Sequence, residues 1–156
     1  MISVKVNSTD ADRQLAKLLR LPMASVNRQI GAEGVSLIQN LFIRQMSFRG
    51  QFWRGLSITT LHLRARKGSS SRLKLIDTGK MFSSTRAITS ARGVELVNDA
   101  PGAIDQNFGN THNRIFGKAI APIPARPFMP SAEELPKSWI DRLRQPLVNA
   151  IDKASK

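Results

Sequence analysis

Ile2, Val4 and Val6 alternate with Ser3, Lys5 and Asn7, a two-residue period that predicts a half-buried strand. Ser8, Thr9 and Asp10 then offer N-caps for a short helix with Leu15, Leu18 and Leu19 on one face, and Pro22 ends that segment or opens the next. From Met23 to about Gln45 the apolar residues Val26, Ile30, Leu37, Ile38, Leu41 and Phe42 form a helical stripe. Gly31 and Gly34 interrupt it. Each internal glycine costs roughly 1 kcal/mol against alanine, which suggests close backbone packing against a sheet or a neighbouring subunit. A well-packed helix that merely tolerates them is the other reading.

Gly50 to Gly55 reads as a loop carrying Phe52 and Trp53, and Ser57 caps a short helix through Leu61 and Leu63. Residues 64–74 hold Arg64, Arg66, Lys67, Arg72 and Lys74 with three serines and no acid. So polar a segment buries too little apolar surface to order itself, so it is expected to be a flexible basic arm. Asp77-Thr78-Gly79 opens a helix before Met81 and Phe82. Thr85–Ser90 and Val94–Val97 are two strands of a hairpin turning at Ala91-Arg92-Gly93. Pro101–Gly109 is a loop with one helical turn, and Ile115–Phe128 is extended because Pro122, Pro124 and Pro127 exclude a helix. Ser131 with Glu134 matches a capping box. Pro136 restarts a C-terminal helix whose face carries Trp139, Leu143, Leu147 and Ile151, and Pro146 should kink it. The sum is one α+β domain over 1–156. It has a small, mainly antiparallel sheet flanked by a long helix and a C-terminal helical segment, 131–156, with a flexible basic loop at 64–74.

Composition sharpens this picture through charge. The 156 residues carry 24 basic and 11 acidic side chains, a net +13. Residues 44–92 contain eleven bases and one acid, Asp77, so +10 of the excess lies in that third. Such asymmetry favours a polyanion or an acidic protein surface as partner, beyond mere solubility. There are no cysteines, which removes disulfides, thiolate zinc sites and thiol nucleophiles and fits a reducing cytoplasm. The chain begins without a signal-peptide pattern, and its apolar runs fall far short of the roughly 20 residues that span a bilayer. It is expected to be soluble.

Candidate chemistry is sparse. His62 and His112 stand fifty residues apart without ligand partners, so neither metal nor catalytic use is expected. Glu133 and Glu134 sit where a helix dipole accounts for acids. Asp99 and Asp105 flank one loop and could cooperate. Gly79-Lys80 lacks the upstream glycine of a phosphate-binding loop. No cofactor and no enzymatic activity are expected. Arg64, Arg66, Lys67, Arg72 and Lys74, with Phe48, Phe52 and Trp53 nearby, could track phosphates without sequence preference, although the aromatics suit a core as well.

Three stretches in order carry a resemblance. Phe52-Trp53-Arg54-Gly55-Leu56-Ser57-Ile58-Thr59 resembles the aromatic-then-Thr segment that follows the long helix in phage virion-morphogenesis, or tail-completion, proteins. Leu75-Ile76-Asp77-Thr78-Gly79-Lys80-Met81-Phe82-Ser83-Ser84 resembles their "leucine, x, x, Thr-Gly, basic, apolar, x, Ser" segment. Ala103-Ile104-Asp105-Gln106-Asn107-Phe108-Gly109, followed by Ile123-Pro124-Ala125-Arg126-Pro127-Phe128, resembles their "Tyr-Ala-x-x-His-x-Phe-Gly … Pro-Ala-Arg-Pro-Phe" ending. The family's frequent Tyr is Gly102 here and its frequent His is Gln106, which favours a structural motif over a chemical one.

The resemblance implies a structural protein of the head–tail junction of Mu-like and related phages: a connector or neck protein forming a homo-oligomeric ring, six- or twelve-fold, around the DNA channel. It further implies neighbouring head-completion and tail-terminator or tail-tube proteins as partners, and non-specific contact with genomic DNA in the channel. The place would be the virion neck, and the host cytoplasm during assembly. The basic arm residues would face partner or DNA, and Arg126, Phe128, Phe108 and Trp53 are the subunit-interface candidates. Arg126, stiffened between Pro124 and Pro127, is expected to grip a carboxylate bidentately, within the subunit or across the ring. The alternative function is a free, sequence-independent nucleic-acid-binding protein.

Overall fold

The computed structural model describes residues 15–112, 114–115, 118–119 and 122–155. The strand expected at residues 2–6 and its following caps lie outside them. Residues 15–19 are helical, with Leu15, Leu18 and Leu19 exposed within the described chain.

Helix α1, Met23–Arg44, buries Val26, Asn27, Gly31, Gly34, Leu37, Ile38, Leu41 and Phe42, one continuous face at helical spacing. The two glycines are where a hairpin lies against it. A Cβ on Gly31 would stand 2.8 Å from Ala87 Cβ and 2.9 Å from Thr89 Cγ2, and one on Gly34 would stand 2.7 Å from Leu96 Cδ1. The sheet is therefore what demanded small residues. Asn27 Nδ2 adds a hydrogen bond to the Ser90 carbonyl, 2.7 Å.

That hairpin pairs β1, Thr85–Ser90, with β2, Gly93–Asn98, antiparallel from Thr85↔Asn98 to Ser90↔Gly93. Strand alternation turns Ala87 and Thr89 toward α1 and leaves Arg86, Ile88 and Ser90 exposed. A second hairpin joins β3, Arg114–Ile115, to β4, Lys118–Ala119. The expected small antiparallel sheet is thus two separate two-stranded hairpins among the described residues.

Between α1 and β1 run two short helices. Helix α2, Ile58–Arg66, is capped as expected by Ser57, whose hydroxyl accepts from Thr60 N–H. Helix α3, Lys80–Ser83, follows Gly79, whose φ of 76° suits glycine. After β2 comes α4, Ala103–Phe108, a little longer than the single turn expected.

The C-terminal part opens with a 3₁₀ turn, Ala132–Glu134. The Ser131 backbone and hydroxyl both donate to the Glu134 carboxylate, one half of the expected capping box; the reciprocal side-chain cap is not made. Helix α5, Lys137–Ser155, starts directly after Pro136 and runs through Pro146 without a break. It packs on α1, burying Trp139, and Arg142 pairs with Glu33 across that seam. Phe42 centres the core. Its ring meets Trp53 at 5.7 Å and Phe82 at 6.0 Å, both edge-on, and Phe128 at 5.0 Å, tilted. The architecture is α+β, with α1 between a hairpin and the C-terminal helix.

Candidate functional site: the basic segment and the proline strap

The basic segment is not one open arm. Arg64, Ala65 and Arg66 close α2, and the loop beyond them is tied back. Half-buried Arg64 donates from Nη1 to the carbonyls of Ser71, 3.1 Å, and Leu73, 2.8 Å, and its Nε lies 3.6 Å from Asp77. Ser69 donates to Asp77 at 2.6 Å and Ser71 to the Ile76 carbonyl at 2.7 Å. At the far end Gln45, the left-handed cap of α1, uses its buried amide as a clamp. Its Oε1 accepts from Lys74 N–H at 2.5 Å, and its Nε2 donates to the Lys74 carbonyl at 3.0 Å. The expectation of an unstructured arm rested on scarce apolar surface. It left out side-chain-to-backbone hydrogen bonds, which order this loop instead. Arg66, Lys67 and Arg72 remain exposed, with no ion pair among the described residues.

A second feature is the extended strap 122–128. Gly109, at φ 80°, lets it approach so closely that a Cβ there would meet Ala125 N at 3.0 Å. Asn110 and Ile123 bridge through paired backbone bonds. Arg126 N–H donates to the Gln106 carbonyl at 2.6 Å. Asn107 Oδ1 accepts from both Phe128 and Met129 N–H, each at 2.9 Å, and Trp53 Nε1 donates to the Pro127 carbonyl at 3.3 Å. Asn107 and Gln45, to which no sequence pattern assigns a role, are polar side chains that hold these two segments.

The strap delivers Arg126 into the protein, 5% exposed. Nη1 donates to Gln106 Oε1 at 2.8 Å, but Nε is buried with no acceptor, and no carboxylate pairs with it among the described residues. Burial first, then the positive charges of Arg64 and Arg54, hold its pKa below the ordinary arginine value. The expected carboxylate partner within the subunit is therefore a glutamine, because the acids near this part of the chain are engaged elsewhere. Asp77 serves Arg64, and Asp105 accepts from Asn110 at 3.0 Å.

The other interface candidates divide. Phe128 is fully buried and Trp53 nearly so; both are core, and neither is a free contact surface. Phe108 is 74% exposed, with Ile104 one turn away at 76%. Of the aromatics read as possible core, Phe48 is buried but Phe52 is 78% exposed. Aromatic residues in loops carry no periodicity from which to sort them.

His62 and His112 are both exposed, and His112 Nδ1 lies against its neighbour Thr111. Among the described residues no three His, Asp or Glu side chains cluster as a metal site would require. Asp99 and Asp105 share a shallow groove with Ile104, yet Asp99 is committed to Arg86, whose hydrogen bond holds its carboxyl below the usual range. Glu134 is likewise held down, first by Arg49 and then by Ser131. No helix among the described residues is long and apolar enough to cross a membrane. In comparisons with known proteins, no family model matches the chain, and no curated protein or solved structure matches it either.

Proposed function

We propose that this protein is a non-enzymatic assembly subunit of a tailed-phage neck, a connector or tail-completion protein whose copies form a ring around the DNA channel. One observation carries the reading. The three stretches that resemble the virion-morphogenesis family converge on a single packing unit. Trp53 from the first, Phe82 from the second and Phe128 from the third all close on Phe42. Gln106 and Asn107 then bind the Arg126–Met129 strap. Motifs far apart in sequence but joined in one core are what a shared fold requires. The Gln in place of the family's frequent His fits this as well. What the position supplies is an acceptor for Arg126, a role that an imidazole nitrogen also fills.

Ring subunits meet through heterologous surfaces. The exposed Ile104, Phe108 and Phe52 supply apolar area for such contacts, and the exposed Arg66, Lys67 and Arg72 hold DNA phosphates or acidic neighbours in a salt-sensitive way. The test is detection of the chain, in stoichiometric amount and with ring symmetry, in the neck of purified particles from a host producing them. Infectious particles that lack it would refute the reading. The exposed basic residues also favour a second reading, a free sequence-independent nucleic-acid binder. That reading requires tight DNA binding that survives moderate salt, and absence from particles.

A further inference from the structure

We infer that the outer face of α2 docks on the groove beside α4 of a second copy of this chain. Helix α2 is only nine residues long, and none of its residues is buried. A helix that short is marginal in water on its own and draws its stability from tertiary packing. Here packing serves one side only. Thr60, Leu61 and Arg64 are half-buried along that side, and no other helix or strand packs broadly against α2 among the described residues. Ile58, 74% exposed, and Leu63, 51% exposed, lie on the other side, where the exposed Arg66 and Lys67 edge them.

The complementary face lies on α4. Ile104 and Phe108, both largely exposed, stand one turn apart, and Ile104 lines a groove with Asp99, Gly102 and Asp105. Residues 93–112, which supply that groove, hold three acids, Glu95, Asp99 and Asp105, and no lysine or arginine. Asp99 shares its charge with Arg86, whereas the Asp105 carboxylate accepts from the neutral amide of Asn110. One apolar patch edged by bases thus has its counterpart, an apolar patch edged by acids, in the same chain. The exposed Ile43 and Phe52 lie beside Arg44 and Arg54 instead, so neither suits the basic α2. Charge matching of this kind selects the partner and fixes register more than it adds affinity. The +13 of each copy opposes association at a distance, but charges more than about 8 Å apart are largely screened at physiological ionic strength. What faces across the contact then decides. Two different patches in contact make a heterologous interface, the kind that closes into a ring by rotation. The proposal thereby deepens the assembly reading, and it rests on that reading for the ring alone.

The chain has no cysteine, so introduced thiols report the contact without background. Leu63→Cys and Ile104→Cys each alter an exposed side chain of the full-length protein, and a short bis-maleimide joins them. The variant carrying both is expected to link into dimers, trimers and larger species, while each single variant stays monomeric. A mixture of the two single variants should stop at the dimer. Arg66→Glu or Asp99→Lys, added alone, should slow linking several-fold, and the two together in one chain should restore it, because the charges have changed places. No linking in the double-cysteine variant overturns the proposal, as does Leu63→Cys linking to itself. So does an oligothymidylate that shields Leu63→Cys from the reagent when added copies of the chain do not, which would make α2 a nucleic-acid surface. A double-cysteine variant that links only as far as the dimer keeps the contact and refutes the ring, so the two readings fail separately.

Discussion

Arg126 sets the cost of burying a charge against one hydrogen bond, a balance that a single substitution can expose. Its folded pKa is lowered, so its charge is less favourable in the folded protein than in the unfolded chain, a cost present at every pH where it is protonated in both. The effective penalty for a buried charge is several kcal/mol, against about 1.5–3 kcal/mol for a hydrogen bond to a charged group such as the one to Gln106. Arg126→Met is therefore expected to stabilise by about 1 kcal/mol or more, raising Tm by about 2–4 °C for each kcal/mol in a chain of this size. A lower Tm on thermal denaturation would show that the Gln106 bond outweighs desolvation. The helix glycines give a ranked pair at the same scale. In Gly31→Ala the new methyl meets Ala87 Cβ, which cannot turn away, whereas in Gly34→Ala it meets the end of the flexible Leu96 side chain. Overpacking costs typically 1–3 kcal/mol, set against roughly 1 kcal/mol gained in helix propensity. Gly31→Ala should thus destabilise clearly and Gly34→Ala little, and urea midpoints in the reverse order would contradict the packing described.

At the scale of elements, what could be read from sequence was whatever repeats. The stripe from Val26 to Phe42 set α1 almost to the residue, the alternation around Ala91-Arg92 set the β1–β2 hairpin, and Ser57 marked the start of α2. What escaped has no period. The 64–74 segment looked unable to order itself because its stabilising partners, Gln45, Asp77 and the Ile76 carbonyl, are polar groups that no hydrophobicity pattern reveals. The proline strap was read correctly as extended. Which of its neighbours lay inside was not legible, since burial of Trp53 and Phe128 but not Phe52 or Phe108 is decided by tertiary contact alone. The Gln45 clamp can be tested as an element-level device. Gln45→Gly eases the left-handed cap, φ 57°, but deletes both bonds to Lys74. Limited trypsin digestion should then cut faster within 66–74 while the far-ultraviolet dichroism of the helices stays unchanged. Unchanged cleavage would mean that Arg64 and Asp77 hold the loop without Gln45.

For the whole molecule the decisive quantity is charge, and its sign makes pH and salt act together. Asp99 and Glu134 have folded pKa values below their ordinary ones, because Arg86 and Arg49 respectively donate to them. Each therefore adds stability above the usual carboxylate range, near pH 4, and loses it as pH falls through the lowered folded value. Both are exposed, so each contribution is small. Their protonation nevertheless removes negative charge from a chain already at +13, and the repulsion left behind within residues 44–92 grows as the acids vanish. Salt can act in two opposing ways: it screens the four ion pairs among the described residues and it screens the self-repulsion. Three of the pairs have both partners well exposed or nearly so and are worth little, whereas the repulsion is spread over many uncompensated bases, so the second effect should dominate. Adding salt is accordingly expected to raise Tm at neutral pH and to raise it further below pH 4. Differential scanning calorimetry across a salt series at both pH values measures this directly. A Tm that falls with salt at neutral pH would mean that the ion pairs, above all Arg64 with Asp77, outweigh the basic field.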